Sequence, residues 1–342
     1  MAPFEDQFRS ALLTWFDQHA RVLPWRTAPS FYKTVVSEFM LQQTQVKTVL
    51  PFFQRWLEHF PDFATLAKAS QNEVCTLWAG LGYYSRAKNL QLFAQVFLQK
   101  PPQCYADLLL FKGIGPYAAA AIASLAFNEP VVVVDGNVIR VLTRIYNIQN
   151  AFTSKDRAIK IITPLAQHLL DARQPGKFNE AIMELGALIC TKNQVRCHEC
   201  PLKFLCAAFQ ANTVDKCPQF VQVKRKKCSK KRLLYIVDQK ILLERSRIGG
   251  NLSLLELPEL DPARQKLLSN LHVIFSGKRS IGTTDFTETI YSGHSPHLDL
   301  IQTPAFLNCA LYKIDSLSQL ALSGPHKRWI NSFLKQNLLE LR

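Results

Sequence analysis

The stretch Phe111-Lys112-Gly113-Ile114-Gly115-Pro116-Tyr117, followed by Ala118–Ala126, decides how this chain is read. Two glycines one residue apart make a tight hairpin, and Pro116 fits the first turn of a helix, where its missing N–H would be unpaired anyway. The alanine-rich segment after it favours a helix. Backbone N–H groups around such a glycine pair form a concave nest, and with the helix N-terminus they attract a phosphate. A helix–hairpin–helix of this kind holds a nucleic-acid backbone without reading its sequence. Taken alone, Gly-x-Gly is also the mark of a plain helix–helix turn.

Helical periodicity extends outward from the hairpin over the first 210 residues. Phe4–Gln18 places Phe8, Leu12, Trp15 and Phe16 on one face, and Thr34–Leu50 and Glu73–Leu77 continue in the same style. Val131–Val134 is an isolated β-branched run, read as an extended entry to a helix after Asp135. Residues 224–232 (Lys-Arg-Lys-Lys-Cys-Ser-Lys-Lys-Arg) carry seven cations and no anion, nearly half of the net charge of +15. Such a run is a solvated linker or a contact for a polyanion. Beyond it, Leu233–Val237 and Lys240–Glu244 alternate as a hairpin about Asp238-Gln239. Strands are expected around His272–Phe275, Thr287–Ser292 and Phe306–Ile314, and helices at Asp261–Asn270 and Pro325–Leu339. The predicted organisation is a helical domain over 1–211, a basic linker over 212–232 and an α+β domain over 233–342.

The 342 residues are 48% hydrophobic and 20% charged, which excludes wholesale disorder. The longest apolar run, Ala118–Phe127, is far short of the roughly 20 residues of a membrane span. The start, Met1-Ala2-Pro3-Phe4-Glu5-Asp6, is acidic where a secretion signal is basic. A soluble, cytoplasmic monomer with no membrane partner is expected.

Four of the nine cysteines, Cys190, Cys197, Cys200 and Cys206, fall in one C-x6-C-x2-C-x5-C window. Thiolates this close suit a soft metal centre, either tetrahedral zinc or an iron–sulfur cluster. Zinc ribbons pair two C-x2-C knuckles, whereas only one short pair exists here, which favours a [4Fe–4S] cluster enclosed by a single loop. The other five show no ligand spacing.

Two carboxylates stand out by their neighbours. On a helix Glu38 shares a face with Val35, Leu41 and Gln42, and a carboxyl beside apolar groups tends toward a raised pKa and can act as an acid. Asp135 opens Asp135-Gly136-Asn137-Val138, where the simplest role is a helix N-cap.

Together these pieces resemble one family. Ser37–Val46 (SEFMLQQTQV), Leu81–Tyr84 (LGYY), Lys112–Tyr117 (KGIGPY), Asp135–Val138 (DGNV), Phe178–Cys190 (FNEAIMELGALIC) and the four-cysteine loop resemble, in order, the adenine DNA glycosylases of the MutY type within the helix–hairpin–helix superfamily. The resemblance covers about residues 4–210. It implies an all-α fold of two lobes with a [4Fe–4S] cluster. It also implies removal of adenine mispaired with 8-oxoguanine or guanine in duplex DNA, the base being flipped out of the stack. Glu38 would be the acid at the purine N7, and Asp135 would stabilise the oxocarbenium-like sugar. Arg21, Leu23, Trp25 and Arg26 match the segment lining the adenine pocket, and Leu41, Thr44 and Glu180 match positions near it. Gln43 and Tyr83 match residues inserted into the DNA stack. Asn137 belongs to the DGNV motif, and Gly113 and Gly115 to the DNA-binding hairpin. Relatives of the endonuclease III type carry a nucleophilic lysine where this chain has Tyr117. A phenol forms no Schiff base, so a monofunctional enzyme is expected.

In this family the C-terminal domain is Nudix-like and recognises 8-oxoguanine. Here its Phe-Ser/Thr-His signature is reduced to Phe286-Thr287-Glu288, and its Gly-Gly-Leu-Trp segment to Gly249–Leu255, which implies a divergent lesion-recognition domain.

Overall fold

The computed structural model describes residues 3–221, 225–245, 254–281, 283–294, 303–320 and 322–336. The chain divides into two compact units, Met1–Val221 and Gln222–Arg342.

The first unit is helical and built on two main cores. Phe39, Phe53, Trp56, Trp78 and Phe93 belong to one, formed wholly within residues 23–123. The other joins Phe8, Leu12 and Phe16 of the Phe4–His19 helix to Val138, Leu142, Phe178 and Leu185. The expected two-lobed helical layout is therefore present. The chain passes back between the cores through Val131–Val134, which is neither helix nor strand. Asn179 fixes that crossing: its Oδ1 accepts from Val133 N–H at 3.0 Å and its Nδ2 donates to Val131 O at 2.9 Å.

The helix expected over Thr34–Leu50 is instead two, Phe31–Leu41 and Val46–His59. Gln43, at φ 58°, sits in the break. No glycine or proline marks it, so apolar periodicity ran through it unbroken. At the decisive hairpin, Gly113 has φ +91°, and a Cβ there would lie 2.6 Å from Asn89 Nδ2. Glycine is required on both counts. Gly115 then caps the Pro116–Ala126 helix.

The second unit is mostly strands: β1 (Lys226–Leu234), β2 (Ile236–Val237), β3 (Lys240–Arg245), β4 (Leu255–Glu256), β5 (Ser269–Ile281), β6 (Thr284–His294) and β7 (Cys309–Lys313). One sheet has the order β1-β6-β5, with β1 and β6 parallel. In the other, β3 is flanked by β2, β4 and β7. The Asp238-Gln239 turn joins β2 to β3, both residues having positive φ, as the hairpin reading requires. The helix expected over Asp261–Asn270 shrinks to Pro262–Gln265, because the chain from Ser269 onward pairs with β6. The final helix runs Gly324–Gln336. Most of the Gly249–Leu255 segment lies outside the described residues.

The basic run is largely strand β1, not the linker expected over 212–232. Strand alternation turns Lys227, Ser229 and Lys231 outward and buries Arg232. Several of its cations are also paired: Arg225 with Asp285 at 2.8 Å and Lys230 with Glu259 at 2.6 Å. Arg232 donates to Glu288 (2.9 Å), Glu256 (3.1 Å) and the Leu257 carbonyl (2.9 Å). Arg279 completes the set, at 2.6 Å from Glu288 and 2.7 Å from Glu256. Buried charge survives here because every member has a partner.

His326, fully buried, accepts Leu257 N–H at Nδ1 (2.9 Å). Its hydrogen therefore sits on Nε2, 3.2 Å from Glu288. Burial pushes Glu288 up, but His326, Arg232 and Arg279 outweigh it and hold the carboxyl at about 2. Its folded pKa lies below its unfolded value, so its stabilisation is complete above the unfolded pKa and fades as pH falls toward about 2. Glu288→Ala removes one of the two buried carboxylates that Arg232 and Arg279 share and leaves Glu256 as the one they still share; it should cost about 3–5 kcal/mol. A urea midpoint unchanged from the parent protein would reject this account of the network.

Candidate active site

A cavity of about 710 Å³ opens in the helical unit. Arg21, Leu23, Trp25, Arg26, Glu38, Leu41, Thr44, Tyr117, Asp135, Asn137 and Glu180 all line it. Residues chosen from five separate sequence segments thus meet at one place.

Glu38 lies in the last turns of the Phe31–Leu41 helix and is only 6% exposed. Its Oε2 has no hydrogen-bond partner. Loss of hydration is the main reason its pKa is pushed up to about 8, with the charges of Glu180 and Asp135 adding to it. Such a carboxyl is mostly protonated at neutral pH, and its residue lines the cavity.

Asp135 caps the Gly136–Ile145 helix as the sequence suggests. Its Oδ1 accepts from Asn137 N–H and Val138 N–H, both at 2.8 Å, and its Oδ2 accepts from Asn137 Nδ2 at 2.8 Å. Burial raises its pKa, while these donors oppose the rise. The three donors favour the charged form, which Glu38 lacks the means to stabilise. The cap and the candidate catalytic group are thus one residue. Arg140 extends the chain of contacts, donating to Asn137 Oδ1 (2.8 Å), Gly186 O (2.8 Å) and Cys190 O (2.7 Å).

Arg21 grips Glu184 through two bonds of 2.7 Å, and Arg26 reaches Glu180 (2.7 Å) and Glu184 (3.2 Å). Burial would raise Glu184, but the two arginines hold it at about 2. Sequence reasoning named Glu180 and missed Glu184. The signal was available: the two are four apart on one helix and so share a face. Arg140 and Met183 carry no comparable signal. The Tyr117 hydroxyl points to Met183 Sδ at 3.6 Å. Burial, with the nearby Glu38 and Asp135, raises that phenol well above its ordinary pKa.

Gln43, Tyr83, Gly113 and Gly115 do not line the cavity. Gln43 is exposed, and Tyr83 is 62% exposed with φ 49°. Gln42 Nε2 donates to Gly113 O at 3.2 Å, so the Gln43 turn rests on the hairpin. Open space surrounds the missing Cβ of Gly115. Phe286 and Thr287 lie half-buried on β6 in the second unit, while Glu288 between the strands is withdrawn into the ion network.

The four cysteines line one cavity together with Val141, Ile145 and Leu202, and no aspartate, glutamate or histidine borders it. Arg144 Nη1 lies 3.2 Å from Cys190 Sγ, and the Cys206 thiol donates to Arg144 O at 3.4 Å. Burial pushes Cys200 up to about 12 and raises Cys197 and Cys206. Among the described residues no three His, Cys, Asp or Glu side chains are poised around a single ion. A lining whose only metal-ligating atoms are sulfurs, otherwise apolar except for the cations Arg144 and Lys203, fits a soft, multi-iron group better than a hard cation.

A family model described as HhH-GPD superfamily base excision DNA repair protein matches residues 36–170. The structure of a thermostable thymine-DNA glycosylase is similar, with a TM-score of 0.55 and 25% identity over 61% of this chain and 97% of that one. An endonuclease III bound to DNA shares the fold, with a TM-score of 0.50 and 18% identity over 62% of this chain and 99% of that one. These define the class as helix–hairpin–helix base excision repair proteins. An adenine DNA glycosylase of Buchnera aphidicola subsp. Schizaphis graminum (strain Sg) is 35% identical over 67% of each chain. That of Mus musculus is 44% identical over 59% of this chain and 42% of its own length. This chain belongs to the adenine DNA glycosylase family. It spans less than half the length of the mammalian relatives it matches. No helix among the described residues is long and apolar enough to cross a membrane.

A Cβ added at Gly186 would lie 2.6 Å from Asn137 Cβ and displace the residue that orients Asp135. Gly186→Ala should therefore slow single-turnover base release on the order of 10²-fold. A parental rate in a variant that folds normally would break the link from Gly186 to Asp135.

Proposed function

We propose that this protein is a monofunctional adenine DNA glycosylase. It flips adenine from duplex DNA, where it is mispaired with 8-oxoguanine or guanine, and hydrolyses the N-glycosidic bond. The observation that carries this reading is the unequal pair in one cavity: Glu38, desolvated and free at Oε2, and Asp135, held by three donors.

The Glu38 carboxyl donates its proton to adenine N7, and the C1′–N9 bond breaks with its electron pair moving to the base. Adenine leaves as a neutral N7–H tautomer. The sugar is left as an oxocarbenium, which the Asp135 carboxylate stabilises by charge or by a transient bond to C1′. Water adds at C1′ and gives up its proton to a carboxylate of the pair, leaving an abasic site. Arg26 and Arg21 hold Glu180 and Glu184 as a fixed wall of the pocket, and the open nest at Gly113–Gly115 receives a backbone phosphate. Gln43 and Tyr83 enter the stack in place of the extruded base.

Cys190, Cys197, Cys200 and Cys206 would hold a [4Fe–4S] cluster, which when bound pins the loop between them and takes no part in the bond cleavage. Opposite-base preference is assigned to the second unit, a divergent Nudix-like domain, with Phe286 and Thr287 as contacts. Binding assays with adenine opposite 8-oxoguanine, adenine opposite guanine and undamaged duplex test that assignment. Equal affinity for all three would remove it.

Glu38→Gln and Asp135→Asn should each abolish adenine release, read by alkaline cleavage at the abasic site, while DNA binding persists. Full activity in either rejects its role. Glu38 is active in its protonated form, so the rate should fall as pH rises through about 8. Borohydride should trap no covalent DNA adduct, because Tyr117 stands at the lysine position. A robust adduct would make the enzyme bifunctional.

A further inference from the structure

Arg86 opens the Ser85–Phe97 helix yet is only 6% exposed. No carboxylate among the described residues pairs with it; backbone carbonyls take its place. Nη1 donates to the carbonyls of Phe39 (3.1 Å), Met40 (2.8 Å) and Gln42. Nη2 donates to the carbonyls of Leu81 (3.0 Å) and Gly82 (3.2 Å) and to Thr44 Oγ1 (3.1 Å). The rings of Trp78 and Tyr83 flank the guanidinium at 5.4 and 5.5 Å.

These contacts belong to two turns. Phe39, Met40 and Gln42 carry carbonyls at the end of the Glu38 helix, which have no helical partner and need an outside donor. Leu81 and Gly82 lead into Tyr83. Each turn holds a non-glycine residue at positive φ, Gln43 and Tyr83, a conformation that persists only where its surroundings impose it.

We propose that Arg86 is a positioning residue that locks the Gln43 and Tyr83 turns into one rigid wedge and fixes that wedge to the helix bearing Glu38. Insertion into the DNA stack and placement of the acid then occur in register, with no separate adjustment of the pocket. The inference rests on the assignment of Gln43 and Tyr83 as stack-inserting residues. Arginine is needed because its planar fork serves both turns at once, whereas the single ammonium of lysine reaches one.

The test is extrusion of 2-aminopurine, a fluorescent adenine analogue, placed opposite 8-oxoguanine in a duplex. Fluorescence rise is followed in the parent, in Arg86→Lys, in the double variant Gln43→Ala/Tyr83→Ala, and in the triple variant. Arg86→Lys, which keeps the charge, should slow extrusion by about tenfold or more in the parent background. In the background lacking both wedge side chains the same change should add less than about twofold. Thr44→Val, which removes one acceptor, is the milder probe should Arg86→Lys fold poorly. It should show a smaller loss with the same dependence on background. Equal losses in both backgrounds would mean a structural role only and overturn the proposal, as would no loss in the parent. If Gln43→Ala/Tyr83→Ala extrudes the base as the parent does, the wedge assignment itself falls, and Arg86's role through it falls with it.

Discussion

A carboxyl group with an oxygen that nothing satisfies is the constraint around which the helical unit is arranged. Water would solvate Glu38 and return it to an ordinary acid. The apolar packing of its helix, the wall of Leu23, Trp25 and Leu41, and the flanking carboxylates prevent that. The other carboxylates at the cavity and the phenol are settled by contrast. Asp135 is fixed by donors, Glu180 and Glu184 by arginines, and Tyr117 stays neutral through burial. Environment alone gives one of two carboxyls of the same chemistry three donors to its charged form and leaves an oxygen of the other without any.

The second unit answers the same problem differently. It buries glutamates without raising them, by surrounding them with Arg232, Arg279 and His326. One unit leaves a buried acid uncompensated next to an opening, and the other compensates fully and leaves none. A buried carboxyl is thus not a site by itself. What distinguishes Glu38 is an unpartnered buried oxygen on a residue that lines a cavity.

What the sequence made legible was local. The Gly113–Gly115 hairpin, the Asp135 cap and the cysteine spacing each act over a few residues, and the family motifs gathered them into one reading. What stayed hidden depended on partners far along the chain. The basic run looked like a linker because the anions that bury Arg232 come 24 and 56 residues later. The break at Gln43 had no glycine to announce it; a cation more than 40 residues on satisfies the freed carbonyls. Charge counting registers such arginines as surface. Only their acceptors reveal that they are internal.

The way the two cores divide the chain also bears on how the protein is made. The core within residues 23–123 closes from contiguous sequence. The Phe4–His19 helix packs against side chains beginning at Val134, so its apolar face has no lodging when it leaves the ribosome. At roughly 5–20 residues per second, the interval before its partners emerge is on the order of ten seconds. During that time Phe8, Leu12 and Phe16 are open to chaperones or to misassociation, while the neighbouring lobe is free to fold.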